Sequence, residues 1–122
     1  MQWILRSDLP IHDQIVEELK LRILLGFYRS GEKVPSVRDL AAEAKVNPNT
    51  MQKALGELES TGLIHTRATN GRYVTDSKFS IQQAKQETQY EIVDNFISTI
   101  QKYDIKSDNV IDYIKERLEL LN

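Results

Sequence analysis

Apolar residues recur at helical spacing in several stretches of the chain, and a short β-rich stretch lies among them. The first helical pattern places apolar side chains four positions apart, at Ile11, Ile15, Leu19 and Ile23. Gly26 follows, and glycine commonly ends a helix in a left-handed conformation. The pattern therefore predicts a helix over about residues 10–25 with one face turned to a core.

Two shorter helices are predicted within residues 36–60. Ser36 can cap the first of them, and Asp39 follows where a carboxylate suits the helix dipole. Asn47 is a strong N-cap for the second helix, and Pro48 is well tolerated at the first helical position. Each helix has one apolar stripe: Val37, Leu40, Ala41 and Ala44 in the first, and Met51, Ala54, Leu55 and Leu58 in the second.

The opposite side of the second helix carries small, amide and basic residues, namely Asn49, Gln52, Lys53 and Gly56. Asn and Gln can pair with adenine through two hydrogen bonds, and Lys can reach guanine or phosphate. Glycine costs about 1 kcal/mol relative to alanine inside a helix, so Gly56 calls for a reason. Two reasons are open: a DNA backbone that comes close, or close packing against a neighbouring element of the protein.

A β-hairpin is predicted after Gly62, which can cap the preceding helix. The β-rich runs 63–67 and 72–74 lie on either side of Asn70-Gly71, a strong hairpin signal. Two helices joined by a tight turn and followed by a hairpin are typical of a winged helix-turn-helix. This module lays its second helix in the major groove of DNA.

Several short motifs over about residues 8–76 form a specific combined pattern. They are Leu9-Pro10-Ile11, Gln14-Ile15, Gly26, Gly31, the runs PSVRDLA (35–41) and VNPNT (46–50), Ala54, Glu57-Leu58-Glu59 and Gly62-Leu63-Ile64 with the hairpin. With these motifs the chain resembles the GntR family of bacterial transcription regulators, and in particular its short YtrA-like subgroup. It departs from the family pattern with Thr69, where a first wing glycine is usual, and with Gln52, where many members have Arg.

The resemblance implies a dimeric repressor with a recognition helix at residues 48–60 in the major groove. It also implies a wing at residues 64–74 on the backbone or in the minor groove. A palindromic operator would match the symmetry of such a dimer. The resemblance implies that Arg38, Asn47, Asn49, Thr50 and Gln52 face DNA, with the wing tip near Asn70. We add Ser36, Lys53, Arg67 and Arg72 as candidate DNA-binding residues, because most protein–DNA contacts hold the backbone.

The charge distribution changes this picture only slightly. The net charge is −2, with ten Lys/Arg and nine Asp/Glu in residues 1–75 but six and nine in residues 76–122. A nearly neutral binder should have modest non-specific affinity and depend on base contacts for the rest. Arg38 also has a second interpretation, a salt bridge to Asp39, Glu43 or another nearby acid.

Residues 77–122 predict two further helices, separated by a break at residues 103–106. Residues 82–90 are polar and could cross open solvent as a connector, and Ser107 can cap the last helix. The two helices could pack on the winged domain of their own chain, but we favour pairing with the same helices of a second chain. The candidate dimerisation residues are Val93, Phe96, Ile97, Ile100, Val110, Ile114 and Leu118.

The expected fold is therefore mainly α with a small β-hairpin: a winged helix-turn-helix at residues 8–76, followed by a two-helix dimerisation segment at residues 77–122. The chain has no cysteine, which excludes disulfides, thiolate zinc sites and cysteine nucleophiles. No apolar run approaches the ~20 residues of a membrane span, and the first five residues are too short for a signal-peptide core. We expect a cytoplasmic protein.

No catalytic constellation is apparent. His12 and His65 have no second ligand at metal spacing, and no phosphate-binding glycine loop is present. We expect a regulator that is not an enzyme, takes no cofactor or metal, does not bind membranes, and has operator DNA and a second copy as partners. A small-molecule effector at the dimer cleft, and use of the fold as a protein-interaction module, remain the alternatives.

Overall fold

The computed structural model describes residues 2–122, which form five helices and one two-stranded hairpin. The predicted fold class, mainly helical with one small hairpin, is confirmed. The chain divides into a first unit that ends at Lys85 and a second unit, Gln86–Asn122. The elements are α1 (Ile11–Leu24), α2 (Val37–Ala44), α3 (Pro48–Ser60), β1 (Ile64–Thr66), β2 (Arg72–Val74), α4 (Lys78–Lys102) and α5 (Ser107–Leu121).

The predicted apolar stripes of the first three helices meet in one core with the hairpin. The α1 stripe is buried from Ile15 onward, and the α3 stripe is buried throughout. Ile64 and Val74 lie opposite each other in the antiparallel ladder and close the core from the hairpin side. The largest of the fully or nearly fully buried apolar side chains are Ile15, Leu19, Ile23, Leu40, Met51, Leu55, Leu58, Ile64 and Val74.

Both predicted caps of the helix-turn-helix form. The Ser36 hydroxyl accepts a hydrogen bond from the Asp39 backbone N–H at 3.1 Å, and the Asn47 side chain accepts one from the Asn49 N–H at 2.7 Å. Lys45 ends α2 in a left-handed conformation with φ 57°. Val46 then packs against the core from inside the turn. These local interactions bring α3 out of the turn at a defined angle to α2.

The segment before α2 pairs with the free edge of β2, which the sequence pattern did not indicate. The Val34 N–H donates to the Arg72 carbonyl at 2.9 Å, and the Val74 N–H donates to the Glu32 carbonyl at 2.8 Å. Lys33 and Tyr73 form an antiparallel bridge between them. The pairing joins residues far apart in sequence, so no local pattern predicts it.

The start of α4 belongs to the first unit. Ile81 and Ala84 pack against the core that the first three helices form. The expectation that residues 82–90 cross open solvent was therefore wrong for the first turn of that stretch. Apolar side chains spaced by three residues are enough to dock this otherwise polar part of the helix.

The two helices predicted for residues 77–122 form as α4 and α5, but the start of α5 differs from the prediction. Lys106 occupies the N-cap position and makes no side-chain cap hydrogen bond, whereas Ser107 is already the first helical residue. The break before it contains Asp104 with φ 55°. Within residues 86–122 only Val110 is buried, so the apolar stripes of both helices are largely exposed. Within residues 2–122, no helix is long and apolar enough to span a bilayer.

Candidate nucleic-acid interface

The outward side of α3 consists of the residues that the sequence pattern placed there. Asn49, Gln52, Lys53 and Gly56 are exposed, while the apolar stripe behind them is buried. The spacing of three and four residues sets these exposed groups in one row along the helix. The row presents two amides and one ammonium group to solvent. Its C-terminal end is Gly56, which has no side chain. Such a surface offers hydrogen-bond donors and acceptors to base edges and room for a close approach.

The space beside Gly56 is open. Within residues 2–122, a Cβ built at this position meets no heavy atom within 4 Å apart from the adjoining residues and the backbone of its own helix, and Gly56 lies in the interior of the 13-residue α3. The interpretation that Gly56 allows close packing against a neighbouring element of the same chain is therefore wrong.

Arg38 projects from the start of α2 and is exposed. Within residues 2–122 its side chain makes no ion pair of 4.0 Å or less, so the salt bridge to Asp39 or Glu43 does not form. The Glu43 carboxylate instead lies 3.9 Å from the Arg22 guanidinium. The Arg38 guanidinium is thus available to an external anion.

Ser36, Asn47 and Thr50 are tied more closely to the protein. The oxygens of Ser36 and Asn47 accept the capping hydrogen bonds, and the side chain of Thr50 is half-buried. A DNA contact by Asn47 would therefore use its amide N–H group, which is a donor. Phosphate oxygens accept hydrogen bonds. The donating amide of Asn47 therefore suits a contact with the DNA backbone better than a contact with a base edge that also donates.

Arg67 begins the wing loop and has several loose partners. Its guanidinium lies 4.4 Å from the ring centre of Tyr73 and 3.5 Å from the Asp76 carboxylate, and its Nε donates to the His65 ring at 3.3 Å. The side chains of Arg67 and Asp76 are 47% and 75% exposed, so water competes for this ion pair. Arg67 can leave it for a phosphate at little cost.

Arg72 is held differently. Its Nε lies 3.6 Å from Glu59 Oε1, and only 21% of its side chain is exposed. The Nε atom itself is buried and makes no hydrogen bond within the described residues. The same Glu59 oxygen accepts a hydrogen bond from the Thr66 hydroxyl. Arg67 and Arg72 look equivalent in the sequence, but the side chain of Arg72 is thus more restrained than that of Arg67.

The wing turn is wider than Asn-Gly alone would make it. The last ladder pair is Thr66 with Arg72, so residues 67–71 form the loop. The Arg67 N–H donates to the Gly71 carbonyl at 2.9 Å, and Gly71 has φ 95°. Asn70 stands exposed in this loop, as expected for a wing tip.

Lys33 is a candidate that sequence reasoning missed. A pocket of about 340 Å³ separates the wing from the start of α2, and Lys33 lines it together with Ser36, Asn70 and Arg72. The Lys33 Cε atom would lie 3.2 Å from a Cβ built on Gly71, so its stem crosses the wing loop. The pairing of residues 31–34 with β2 places Lys33 beside the wing, and the sequence gives no sign of this pairing.

A buried arginine supports the first unit away from this surface. The Arg22 side chain is 1% exposed; it donates to the Tyr28 phenol oxygen at 2.9 Å and to Glu18 at 3.2 Å, and lies 4.3 Å from the Trp3 ring centre. Burial raises the pKa of the Tyr28 phenol above 10.0, and the hydrogen bond from Arg22 opposes this shift. The cluster joins the N-terminal segment to α1 and the following loop.

The candidate dimerisation residues lie in the second unit. An apolar groove of about 370 Å³ runs between the later half of α4 and α5. The groove includes Phe96, Ile100, Val110, Ile114 and Leu118 from the candidate set. Val93 and Ile97 do not line it and are 50% and 39% exposed on α4.

Residues 11–74 match the family model described as bacterial regulatory proteins, gntR family. The chain belongs to the GntR family. It is 34% identical to the HTH-type transcriptional repressor YtrA of Bacillus subtilis over 112 residues, which cover 91% of this chain and 86% of that protein. The family, and with it the YtrA resemblance, is thus confirmed.

Two solved structures extend the comparison. A GntR family transcriptional regulator from Listeria monocytogenes superposes with a TM-score of 0.88 at 37% identity, over 92% of this chain and 98% of the other. The DNA-binding domain of AraR, solved in complex with operator ORE1, superposes with a TM-score of 0.53 at 31% identity, over 62% of this chain and 94% of the domain. This GntR protein is a DNA-binding transcription regulator and not an enzyme.

Proposed function

We propose that this GntR protein is a homodimeric repressor that binds a palindromic operator, with α3 in the major groove and the wing on the backbone or in the minor groove. The observation that carries the proposal is the exposed row on α3. Within residues 2–122 the side chains of Asn49, Gln52 and Lys53 make no hydrogen bond or ion pair, and the row faces solvent along two helical turns.

Different residues have different roles in this proposal. Asn49 and Gln52 read base edges, since amides can pair bidentately with adenine. Arg38, Lys53 and Arg67 hold phosphates, because each is exposed and either unpaired or only loosely paired. The remaining backbone contacts come from around the pocket between α2 and the wing, where Lys33, Ser36 and Asn70 lie.

The second unit supports the dimer. An isolated pair of helices that leaves its apolar groove open exposes surface that water disfavours. Phe96, Ile114 and Leu118 are 45%, 41% and 52% exposed, although all three line this groove. A second copy that covers the groove with its own helices gives a symmetric interface, and the two recognition helices then read two half-sites. The repressor role is supported by the name of the Bacillus subtilis relative.

The DNA-binding roles are tested by selection from random duplexes, followed by titration of the enriched sequence. Gln52→Ala should weaken operator binding by about 1–3 kcal/mol and relax preference at one base position. Arg67→Ala should weaken all duplexes similarly and lower the salt slope by about 1. Enrichment of no sequence by the wild-type protein, or unchanged operator binding by both variants, would contradict the proposal.

The dimer is tested by sedimentation of Leu118→Glu beside the control Leu120→Glu. Both leucines lie on α5 and are exposed, at 52% and 73%, but only Leu118 lines the groove. We expect Leu118→Glu to sediment as a monomer and to bind a single half-site, and we expect the control to remain a dimer on the full operator. A dimer that survives Leu118→Glu, or one that both changes disrupt equally, would contradict this interface.

A further inference from the structure

We propose that Glu59 is the positioning residue that holds the wing on the DNA-facing side of α3, and that Arg72 acts mainly as its partner rather than as a DNA ligand. This inference rests on the proposed function, because it assigns a role within the same DNA-binding surface. It starts from one carboxylate oxygen that contacts both strands of the hairpin.

The contacts lie where the ladder ends. Glu59 Oε1 accepts a hydrogen bond from the Thr66 hydroxyl on β1 and lies 3.6 Å from Arg72 Nε on β2. Thr66 and Arg72 are directly paired across the strands, and the loop 67–71 begins immediately beyond them. Glu59 therefore fixes both sides of the base from which the wing loop projects.

The position of Glu59 on α3 determines which side of the helix holds the wing. Glu59 follows Gly56 by three residues and Gln52 by seven, so it continues the row of proposed DNA-reading residues along the same side of the helix. Seven residues correspond to about 10 Å along a helix. The carboxylate thus sets the wing at a fixed distance from Gln52 and on the side that faces the groove.

Exposure separates the two wing arginines. The side chains of Arg72 and Glu59 are 21% and 34% exposed, whereas those of Arg67 and Asp76 are 47% and 75% exposed. The buried Arg72 Nε makes no hydrogen bond within the described residues, and the Glu59 carboxylate oxygen lies 3.6 Å from it. Moving Arg72 to a phosphate would leave the less exposed Glu59 carboxylate without its cation. Moving Arg67 would leave the Asp76 carboxylate, which is 75% exposed and can be solvated by water.

The test compares Glu59→Ala, Arg72→Ala and the double variant by operator titration and hydroxyl-radical footprinting. We expect each single change to weaken binding about tenfold, with protection lost where the wing contacts the DNA backbone and kept at the backbone positions that flank the α3 contacts, because the positional contacts of the wing are lost and those of α3 remain. The double variant should bind no more weakly than the weaker single variant, since both changes remove the same pair. Asp76→Ala is the matched control, and it should leave the footprint unchanged.

A second measurement needs no DNA. Backbone ¹⁵N relaxation should show the amides of Thr69 and Asn70 becoming more mobile in Glu59→Ala, while those of α3 stay unchanged. Glu59→Gln keeps an oxygen for the Thr66 hydroxyl but loses the charge, so it should lie between wild type and Glu59→Ala in both experiments. It also serves if Glu59→Ala fails to fold.

Several outcomes would overturn the proposal. If Glu59→Ala binds the operator as tightly as the wild type, or more tightly, the carboxylate does not hold the wing in a position that helps DNA binding. Additive losses in the double variant would mean that Arg72 contacts DNA in its own right. If the wild-type protein itself selects no duplex, the proposed function fails, and the relaxation data alone then decide whether Glu59 orders the wing.

Discussion

Replacing Gly56 with alanine should stabilise the protein while weakening its binding to operator DNA. Gly56 is exposed in the interior of α3 and has ordinary helical geometry. Outside the adjoining residues and its own helix backbone, no heavy atom of residues 2–122 lies within 4 Å of the position that a Cβ would take. No contact in this part of the chain therefore penalises the added methyl group, and none accounts for the choice of glycine.

The gain in stability follows from helix propensity. Alanine is favoured over glycine by about 0.5–1 kcal/mol within a helix, because glycine loses more backbone freedom on folding. No steric term offsets this gain at Gly56. For a domain of the size of the first unit, each kcal/mol raises Tm by about 4–8 °C. Urea and thermal denaturation should both detect the change.

The loss of DNA affinity follows if the backbone of the operator passes close to Gly56. A methyl group forced into a well-packed contact typically costs about 1–3 kcal/mol, which corresponds to about 5- to 150-fold in affinity. Fluorescence anisotropy with the selected operator measures this directly. A stabilised Gly56→Ala protein that binds as tightly as wild type would refute the close approach of DNA at this residue.

Gly26→Ala is the matched control for stability. Its added Cβ also meets nothing within 4 Å, but its φ is +81°, where a side chain is strained. We expect this change to destabilise the protein by about 1 kcal/mol and to leave operator affinity unchanged once the protein is folded. If Gly56→Ala destabilises the protein as Gly26→Ala does, the reasoning from open space around Gly56 is wrong.

Three further predictions concern the first unit. The folded state favours the protonated phenol of Tyr28, whose pKa is raised. The stability that this phenol contributes to the folded protein is therefore fully present below pH 10.0 and should fall as pH rises through the raised pKa. Urea titrations of Tyr28→Phe should show a shallower loss of stability at alkaline pH. Ser36→Ala removes the cap on the Asp39 N–H and should cost about 1 kcal/mol, without a change in cooperativity. Leu55→Ala, at a side chain 1% exposed, should cost about 2–5 kcal/mol in the same assay; a loss below 1 kcal/mol would contradict its place in the core.

Local patterns in the sequence were enough to predict most of the fold. Ser36 and Asn47 cap their helices as expected, because each bond joins a side chain to a backbone N–H two or three residues away. The apolar stripes of α1 and α3 predicted the buried faces, and what remained on the other side of α3 was the exposed row. Such features depend on spacing along one helix, so they can be recognised before any neighbour is known.

The tertiary structure decided the environment of each wing residue. The sequence treats Arg67 and Arg72 alike, but only Arg72 comes to lie beside Glu59, and Lys33 reaches the wing through pairing between residues 31–34 and β2. The open surroundings of Gly56 likewise became clear only once every neighbour had been placed. These properties arise from contacts between distant segments, whose geometry is set by packing of the whole core rather than by any local pattern.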